Sequence, residues 1–568
     1  MIVVIISWIY IFLISITIGL GVNRALSRLI PVPAVSESGI TGLCVTGITT
    51  LTVYAEVFSI FYKVGALCHI LVPAAAVIIG FKMRGELGEI ILNLRREIRG
   101  NRLVVLVLIV LAGAFFTSRG TFHTDTGIYH AQAIRLLEEY GVLKGLGNLQ
   151  LHFAYNSAYL SLCALFTLSF ILPFALHTMT GFFMVVFSVY AAFGLFGFAE
   201  HRRHGGDFAR IALLIYSVTN LTGLQSPATD YGTMFFSLYI LVEWISWAEE
   251  KSTGDKIRDI AEYGYLSVLS IFVVSMKLSA ALLVVLAVLP AVMLVQKKMW
   301  KELVSFLLIG FLSFLPYLVR NVIISGWLFY PVAAIDLFDV VWKIPAEYMK
   351  VDSDQIKVWG RCLYDITKVD EGITTWLPVW WEERRHYEEM LIYSQFVAAL
   401  LLGATAVTRA VKKELNGAVC VFYLAVVINI AMWFLTAPFI RYGLAFLLIF
   451  PLCAVGDALD VIIGKKSVIL GLAALLIAVN FGSWIDNYFT DDMVFVKHYI
   501  MSGNYVTPVP FDNPQMSAMD MNGLTVYVAG LDEINSYYTC PGTCYDFMAE
   551  RTELIGKDIY SGFKPKEK

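Results

Sequence analysis

Asp125 lies in the run Thr121-Phe122-His123-Thr124-Asp125-Thr126-Gly127-Ile128-Tyr129-His130, where a carboxylate, two imidazoles and a phenol fall within eight residues. Such a set can take the proton of a hydroxyl nucleophile and orient the oxygen that attacks. A simpler role for Asp125 or Thr124 is to cap a helix that follows, accepting bonds from its first free amides. The density of titratable groups beside it favours chemistry. Cations suited to a phosphate stand at three ends of apolar segments. Lys277 interrupts the apolar run Tyr263 to Val295, Arg320-Asn321 precedes Ser325-Gly326 and Tyr330-Pro331, and Arg441 follows Ala437-Pro438-Phe439-Ile440. The planar fork of arginine matches phosphate oxygens, and lysine supplies a mobile point charge. Any one of them could simply reach toward lipid headgroups. Taken together beside Asp125, they compose a phosphate cradle.

Other residues would position a donor or an acceptor: His123, Tyr129, His130, Asn156, Asp230 and Asn321. Asp230, after Ser226-Pro227, fits the cap of a helix starting near Gly232 equally well. His123, His130 and Asp125 have the donor chemistry for a divalent metal but match no strong ligand spacing, so metal dependence stays open and no cofactor is assigned. Cys540-Pro541-Gly542-Thr543-Cys544 would bring two thiols together across a turn, which permits a structural disulfide in an oxidising compartment. Trp376, Trp380 and Trp381 read as an interfacial aromatic belt before a sugar-stacking platform.

The elements that must carry these residues follow from composition. Of 568 residues, 58% are hydrophobic and 15% charged, and mean hydropathy is +0.71. Soluble domains carry about 25% charged residues. Fourteen apolar segments of membrane-spanning character are predicted, giving an all-α integral membrane protein. Lys and Arg mark the cytoplasmic loops: Arg24 and Arg28; Lys82, Arg84, Arg95, Arg96 and Arg99; Lys297, Lys298 and Lys301; Lys412 and Lys413; Lys465 and Lys466. Treating Tyr159 to Leu176 as a re-entrant or interfacial hairpin bent at Pro173 brings Arg202, Arg203, Lys251, Lys256 and Arg258 to that side as well. The amino terminus is then outside.

This topology divides the chain into N-terminal spans (1–118), a first large outer loop (119–157), central spans (158–326), a second outer loop (327–390), C-terminal spans (391–485) and an outer tail (486–568). Ile128, Ala131, Ile134 and Leu137 recur at helical spacing in the first loop, predicting a short amphipathic helix lying on the membrane surface. In the tail, Leu524 to Ala529 alternates as a strand would, so a small mixed α/β outer region is expected.

An acidic residue in the first large outer loop, a surface helix, the stretch Gly145-Leu146-Gly147-Asn148 and the entry Phe153-Ala154-Tyr155-Asn156-Ser157 together resemble the GT-C class of glycosyltransferases. More narrowly, Asp125 to His130, Phe153 to Ser157, Ser226-Pro227-Ala228-Thr229-Asp230, and Arg320-Asn321 through Tyr330-Pro331 are similar to a group of bacterial envelope membrane proteins. The chain departs from the commonest GT-C pattern by placing several spans before the loop and by lacking a paired acidic signature there.

The resemblance implies a GT-C-like fold in the bacterial inner (cytoplasmic) membrane, with the active side facing the periplasm. It implies a polyprenyl-phosphate-linked sugar as donor and a cell-surface glycan or lipid-linked acceptor, with Asp125 as base and Lys277, Arg320 and Arg441 on phosphate. Membrane lipid is a further partner. Nucleic acid is not, since no basic tract with interleaved aromatics occurs. The competing class is a flippase or secondary transporter of lipid-linked glycan, supported by Glu56 and Glu243 inside apolar segments.

Overall fold

The computed structural model describes residues 1–33, 35–119, 123–250, 256–489, 501, 505–529 and 534–566. Thr121, Phe122, Lys251 and residues 490–500 of the expected tail lie outside the described residues. The protein is mostly helical. Helices α1 (Ile2–Leu26), α2 (Val35–Phe61), α3 (Ala66–Lys82), α4 (Arg84–Glu97) and α5 (Asn101–Arg119) come first. The first loop holds a π-helical turn (Thr126–His130), α6 (Ala131–Glu139) and α7 (Leu146–Leu149), and α8 (Ala158–Phe166) follows. Then come α9 (Met179–Leu195), α10 (Gly205–Thr219), α11 (Thr229–Glu249), α12 (Lys256–Met276), α13 (Val288–Gln296) and α14 (Trp300–Ser325). The second loop carries α15 (Ala346–Gly360) and α16 (Ile373–Glu382), after which α17 (His386–Val411), α18 (Gly417–Thr436), α19 (Ile440–Ile462) and α20 (Lys466–Phe489) complete the bundle.

Ten of these segments are long and apolar enough to cross a bilayer, or eleven when α3 and α4, bent by 92°, count as one. The chain is therefore a membrane protein. Its outward faces are apolar where no protein covers them, as at Phe396, Leu400 and Val411 on α17, and these faces contact lipid. α9, at 17 residues, is shorter than the span Thr178 to Phe198 read from hydropathy, and α10 starts earlier than the span Ile211 to Leu224.

Residues 505–529 and 534–566 form a small cap at one end of the bundle. Strands β1 (Met516–Met521) and β2 (Leu524–Ala529) pair antiparallel, and β3 (Gly542–Thr543) joins β2 in parallel. The turn between β1 and β2 is Asn522-Gly523, both residues at positive φ, the backbone that a tight two-residue hairpin needs. β4 (Thr552–Leu554) pairs antiparallel with β5 (Phe563–Pro565), and α21 (Asp546–Glu550) lies beside them. A second apolar core joins this cap to both loops through Leu136, Leu149, Tyr330, Met349, Val526 and Phe563. The amino terminus belongs to the same end, because Ile2 and Val3 donate backbone bonds to Tyr505 and Val506 at 3.2 and 3.1 Å.

The opposite end is closed by ion pairs. Glu249, ending α11, accepts the free amides of Gly205 and Gly206 at the start of α10, at 3.2 and 2.8 Å. His204 meets Asp460 at 2.5 Å, His201 meets Asp207 at 2.9 Å, and Arg409 pairs with Asp457. The first residues of α1 bond to the cap, so its basic end at Arg24 points away from it.

Of two expectations for the loops, the first agrees with a short helix that does not cross and the second changes. The stretch Tyr159 to Leu176 contains α8, nine residues long. At 1.5 Å per residue it spans about 14 Å, half of the hydrocarbon core. Both its ends face the capped side: Ser157 donates to the Met276 carbonyl at 2.6 Å, and Thr167 to Glu138 of α6. The amphipathic helix of the first loop does form, as α6, but it is buried between α8 and the cap rather than laid on lipid. Its polar residues find partners in the tail: Gln132 Nε2 donates to the Thr539 carbonyl at 2.8 Å, and Glu138 accepts from the Tyr537 hydroxyl at 2.6 Å.

Candidate functional site

Asp125 sits where the first loop turns into the π-helix, a wide turn often found at functional sites. The turn is held from both sides. Asn535 donates from its backbone to Gly127 at 2.8 Å and from its side chain to Ile128 at 2.8 Å, and Gln150 Nε2 reaches the Ile128 carbonyl at 3.1 Å. From the bundle, the Thr126 hydroxyl meets that of Ser226 at 2.5 Å, and the Ser226 carbonyl accepts from Thr180 at 2.6 Å. The carboxylate of Asp125 makes no capping bond within the turn. Arg441 Nη2, at the start of α19, lies 3.2 Å from its Oδ2 instead.

Four charged groups from four segments meet here. Arg441 also donates to His123, whose Nδ1 is 3.5 Å from Asp125 Oδ2. Lys277 occupies a single extended residue where α12 breaks into the 3-10 stretch Leu278–Ala287, and its ammonium pairs with Asp230 in the first turn of α11. Asp230 is not the cap of α11, whose N-cap residue is Ala228. Tyr442 stands between the two pairs, with Lys277 Nζ 4.1 Å and Arg441 Cζ 4.9 Å from its ring centre and its hydroxyl 3.2 Å from Arg441 Nη2. Cations above an aromatic face are attracted by its quadrupole, so the ring separates two positive groups while favouring both.

Burial would raise the proton affinity of Asp125, but the neighbouring cations, Arg441 foremost, outweigh it and hold the carboxyl below its usual range. Burial and Arg441 lower His123. Burial lowers His130 to about 3, so this imidazole, 1% exposed and without a hydrogen-bond partner at either nitrogen, is neutral. Burial and the neighbouring Asp125 raise the Tyr129 phenol well above its usual range. Tyr129 packs on His130 at 4.1 Å and stacks on His152 at 5.2 Å, so it and His130 form the floor beneath Asp125.

The structure does not bring Arg320 to this site. Its guanidinium is 2% exposed and pairs with Glu56 of α2 at 3.2 Å and with the Ser161 hydroxyl at 2.5 Å, which gives the intramembrane Glu56 a partner. Asn156 and Asn321 serve as a clamp. Asn156, at φ 44°, donates to Asn321 Oδ1 at 2.7 Å and to the Tyr317 carbonyl at 3.1 Å, and Asn321 donates to Leu328 at 3.0 Å. No disulfide joins Cys540 to Cys544. The Cys544 thiol is turned toward the Ile128 carbonyl, 3.1 Å away, which directs it at the π-helical turn. Among the described residues, no group of three or more His, Cys, Asp or Glu side chains is placed to hold a metal ion.

Tyr442 was the residue missed, although it adjoins Arg441 in sequence. The tryptophans have a different task from the one expected. Trp376 and Trp380 are 3% and 1% exposed and pack against Trp433 and Phe434 instead of meeting the headgroup layer. Trp380 Nε1 donates to Pro438 at 3.0 Å and Trp433 Nε1 to Phe439 at 2.5 Å, so two indoles fix the link between α18 and α19 that presents Arg441.

Residues 1–448 match the model of the family described as Domain of unknown function (DUF8201), and the chain belongs to that family; the match stops within α19, before α20 and the cap. No curated protein and no solved structure matches the chain.

Proposed function

We propose that this family member is a membrane glycosyltransferase of the GT-C type, moving a sugar from a polyprenyl-phosphate donor to a surface-glycan or lipid-linked acceptor. In this reading α3, α9, α10 and α11 cross the bilayer in addition to the ten strongest spans, giving fourteen, and the capped end faces the periplasm of a bacterial inner membrane. The observation that carries it is the Asp125 carboxylate. It is partly exposed, makes no helix cap, and is held by Arg441 beside a second carboxylate–cation pair at the capped end of the bundle.

The acceptor hydroxyl would lose its proton to Asp125 as its oxygen bonds to the anomeric carbon. The bond from that carbon to the phosphate oxygen breaks, and the electron pair leaves on the phosphate. Arg441 and Lys277 would balance the charge that develops there. Transport of a lipid-linked glycan is the second reading, favoured by the buried Glu56–Arg320 pair inside the bundle.

Mass spectrometry of envelope glycans and lipid-linked intermediates separates the two. Deletion cells are complemented with wild type or with Asp125→Asn at equal protein level. The transferase reading predicts that the deletion and the Asn variant both accumulate an intermediate lacking a defined sugar or repeat. Normal glycan from the Asn variant would remove Asp125 as base, and complete lipid-linked units trapped on the inner leaflet of the deletion would favour transport.

A further inference from the structure

Asp125 and Asp230 balance Arg441 and Lys277 in charge, and a phosphate arriving among them meets no unmatched cation. It must draw one away from a carboxylate. The two pairs differ in how readily they part. Asp230 is 6% exposed and lies in the first turn of α11, where the helix dipole favours its negative charge, so the Lys277 pair is the anchored one. Arg441 and Asp125 are 35% and 23% exposed, and a single guanidinium nitrogen links them at 3.2 Å.

We propose that the phosphate of the lipid-linked donor binds by drawing Arg441 off Asp125, and that loss of this counter-charge converts Asp125 into the proton acceptor. The inference rests on the transferase reading given above. While Arg441 is in place, Asp125 is a poor base, with one oxygen engaged and its proton affinity depressed. Burial pulls the other way. Once Arg441 turns to phosphate, burial dominates and the carboxylate takes up a proton more readily. Its remaining neighbours do not replace the lost charge. Burial disfavours the charged form of His123 and His130, Lys277 stays with Asp230, and Tyr129 and Tyr442 offer hydroxyls. The donor therefore precedes the acceptor, and a base strong enough to act forms only when a leaving group is present.

The full chain, reconstituted in zwitterionic lipid nanodiscs, is titrated calorimetrically with the methyl ester of a polyprenyl phosphate, a diester with no ionisation near neutrality. Repeating the titration in buffers of different ionisation heat counts protons. Wild type is expected to take up protons on binding and to bind more weakly as pH rises. Asp125→Asn is expected to abolish the uptake and to bind about fivefold to tenfold tighter, because the competing partner of Arg441 is gone. Inorganic phosphate alone is expected to give neither signal; if it gives both, the lipid assignment falls. Binding by wild type without proton uptake overturns the switch and leaves the transferase reading in place, even if the variant cannot be prepared. Absence of diester binding by wild type, Asp125→Asn and Arg441→Lys alike overturns the lipid-phosphate reading itself.

Discussion

Arg320 and Arg441 looked alike as sequence, each an arginine at the end of an apolar segment, and the fold gives them opposite tasks. Arg441 is partly exposed and faces Asp125, whereas Arg320 is sealed against Glu56. Removing one partner of a sealed pair leaves an uncompensated charge in a low-dielectric interior. Arg320→Leu is therefore expected to destabilise the protein by about 3–5 kcal/mol, and adding Glu56→Leu to recover most of the loss. Thermal melting in detergent of the two single variants and the double variant checks this, and a double variant as unstable as Arg320→Leu would contradict it. Asp125 was legible because its neighbours are close in sequence. Its counter-ion was legible only as one of three candidates, since choosing among residues some 300 positions apart needs the packing of α19 against the loop. Tyr442 carried no sequence signal beyond lying next to Arg441, because what makes it notable is that Lys277 reaches the same ring.

At the level of elements, hydropathy read fourteen spans where ten helices, or eleven with the bent pair, are long and apolar enough to cross; both hydropathy and the basic loops reflect the cost of exposing backbone and charge to lipid. They also marked Tyr159 to Leu176 as a segment that does not cross. The amphipathic pattern of α6 identified a helix with one apolar face but said nothing of what covers its polar face. That cover is the tail, some 400 residues later, and it leaves Glu138 in a buried junction with Thr167 and Tyr537. Burial raises the Glu138 carboxyl from 4.5 to about 7, against the lowering effect of those two hydroxyls and Arg135. The folded state thus holds a proton that the unfolded chain releases near 4.5. The stability this gives is full below that value, is lost as pH rises, and has gone above about 7. Limited proteolysis of the cap is expected to quicken as pH rises through that window in wild type and to change little in Glu138→Gln. Equal pH profiles would show that Glu138 does not govern the junction. In the cap itself, the alternation of Leu524 to Ala529 foretold β2, and Asn522-Gly523 was a hairpin signal that went unused.

The molecule as a whole is a bundle tied at both ends, by ion pairs at one and by the cap at the other. Residues 505–529 and 534–566 touch the amino terminus, the loop of Asp125 and α6, so the candidate site depends on the tail although none of the tail's described residues supplies one of its charged groups. A chain stopped after residue 505 is expected to insert at a normal level yet to expose residues 123–155 to protease, read by mass spectrometry of the fragments. Undiminished protection would show that the loop folds against the bundle alone. The backbone bonds from Ile2 and Val3 to Tyr505 and Val506 carry a consequence for biosynthesis. The ribosome makes the tail after every membrane helix, and in the proposed orientation, with the capped end outside, the tail must be exported before it can reach the start of the chain. The loop of Asp125 would then stay unbraced throughout synthesis, and a partly made chain in the membrane would be inert toward the lipid carriers around it.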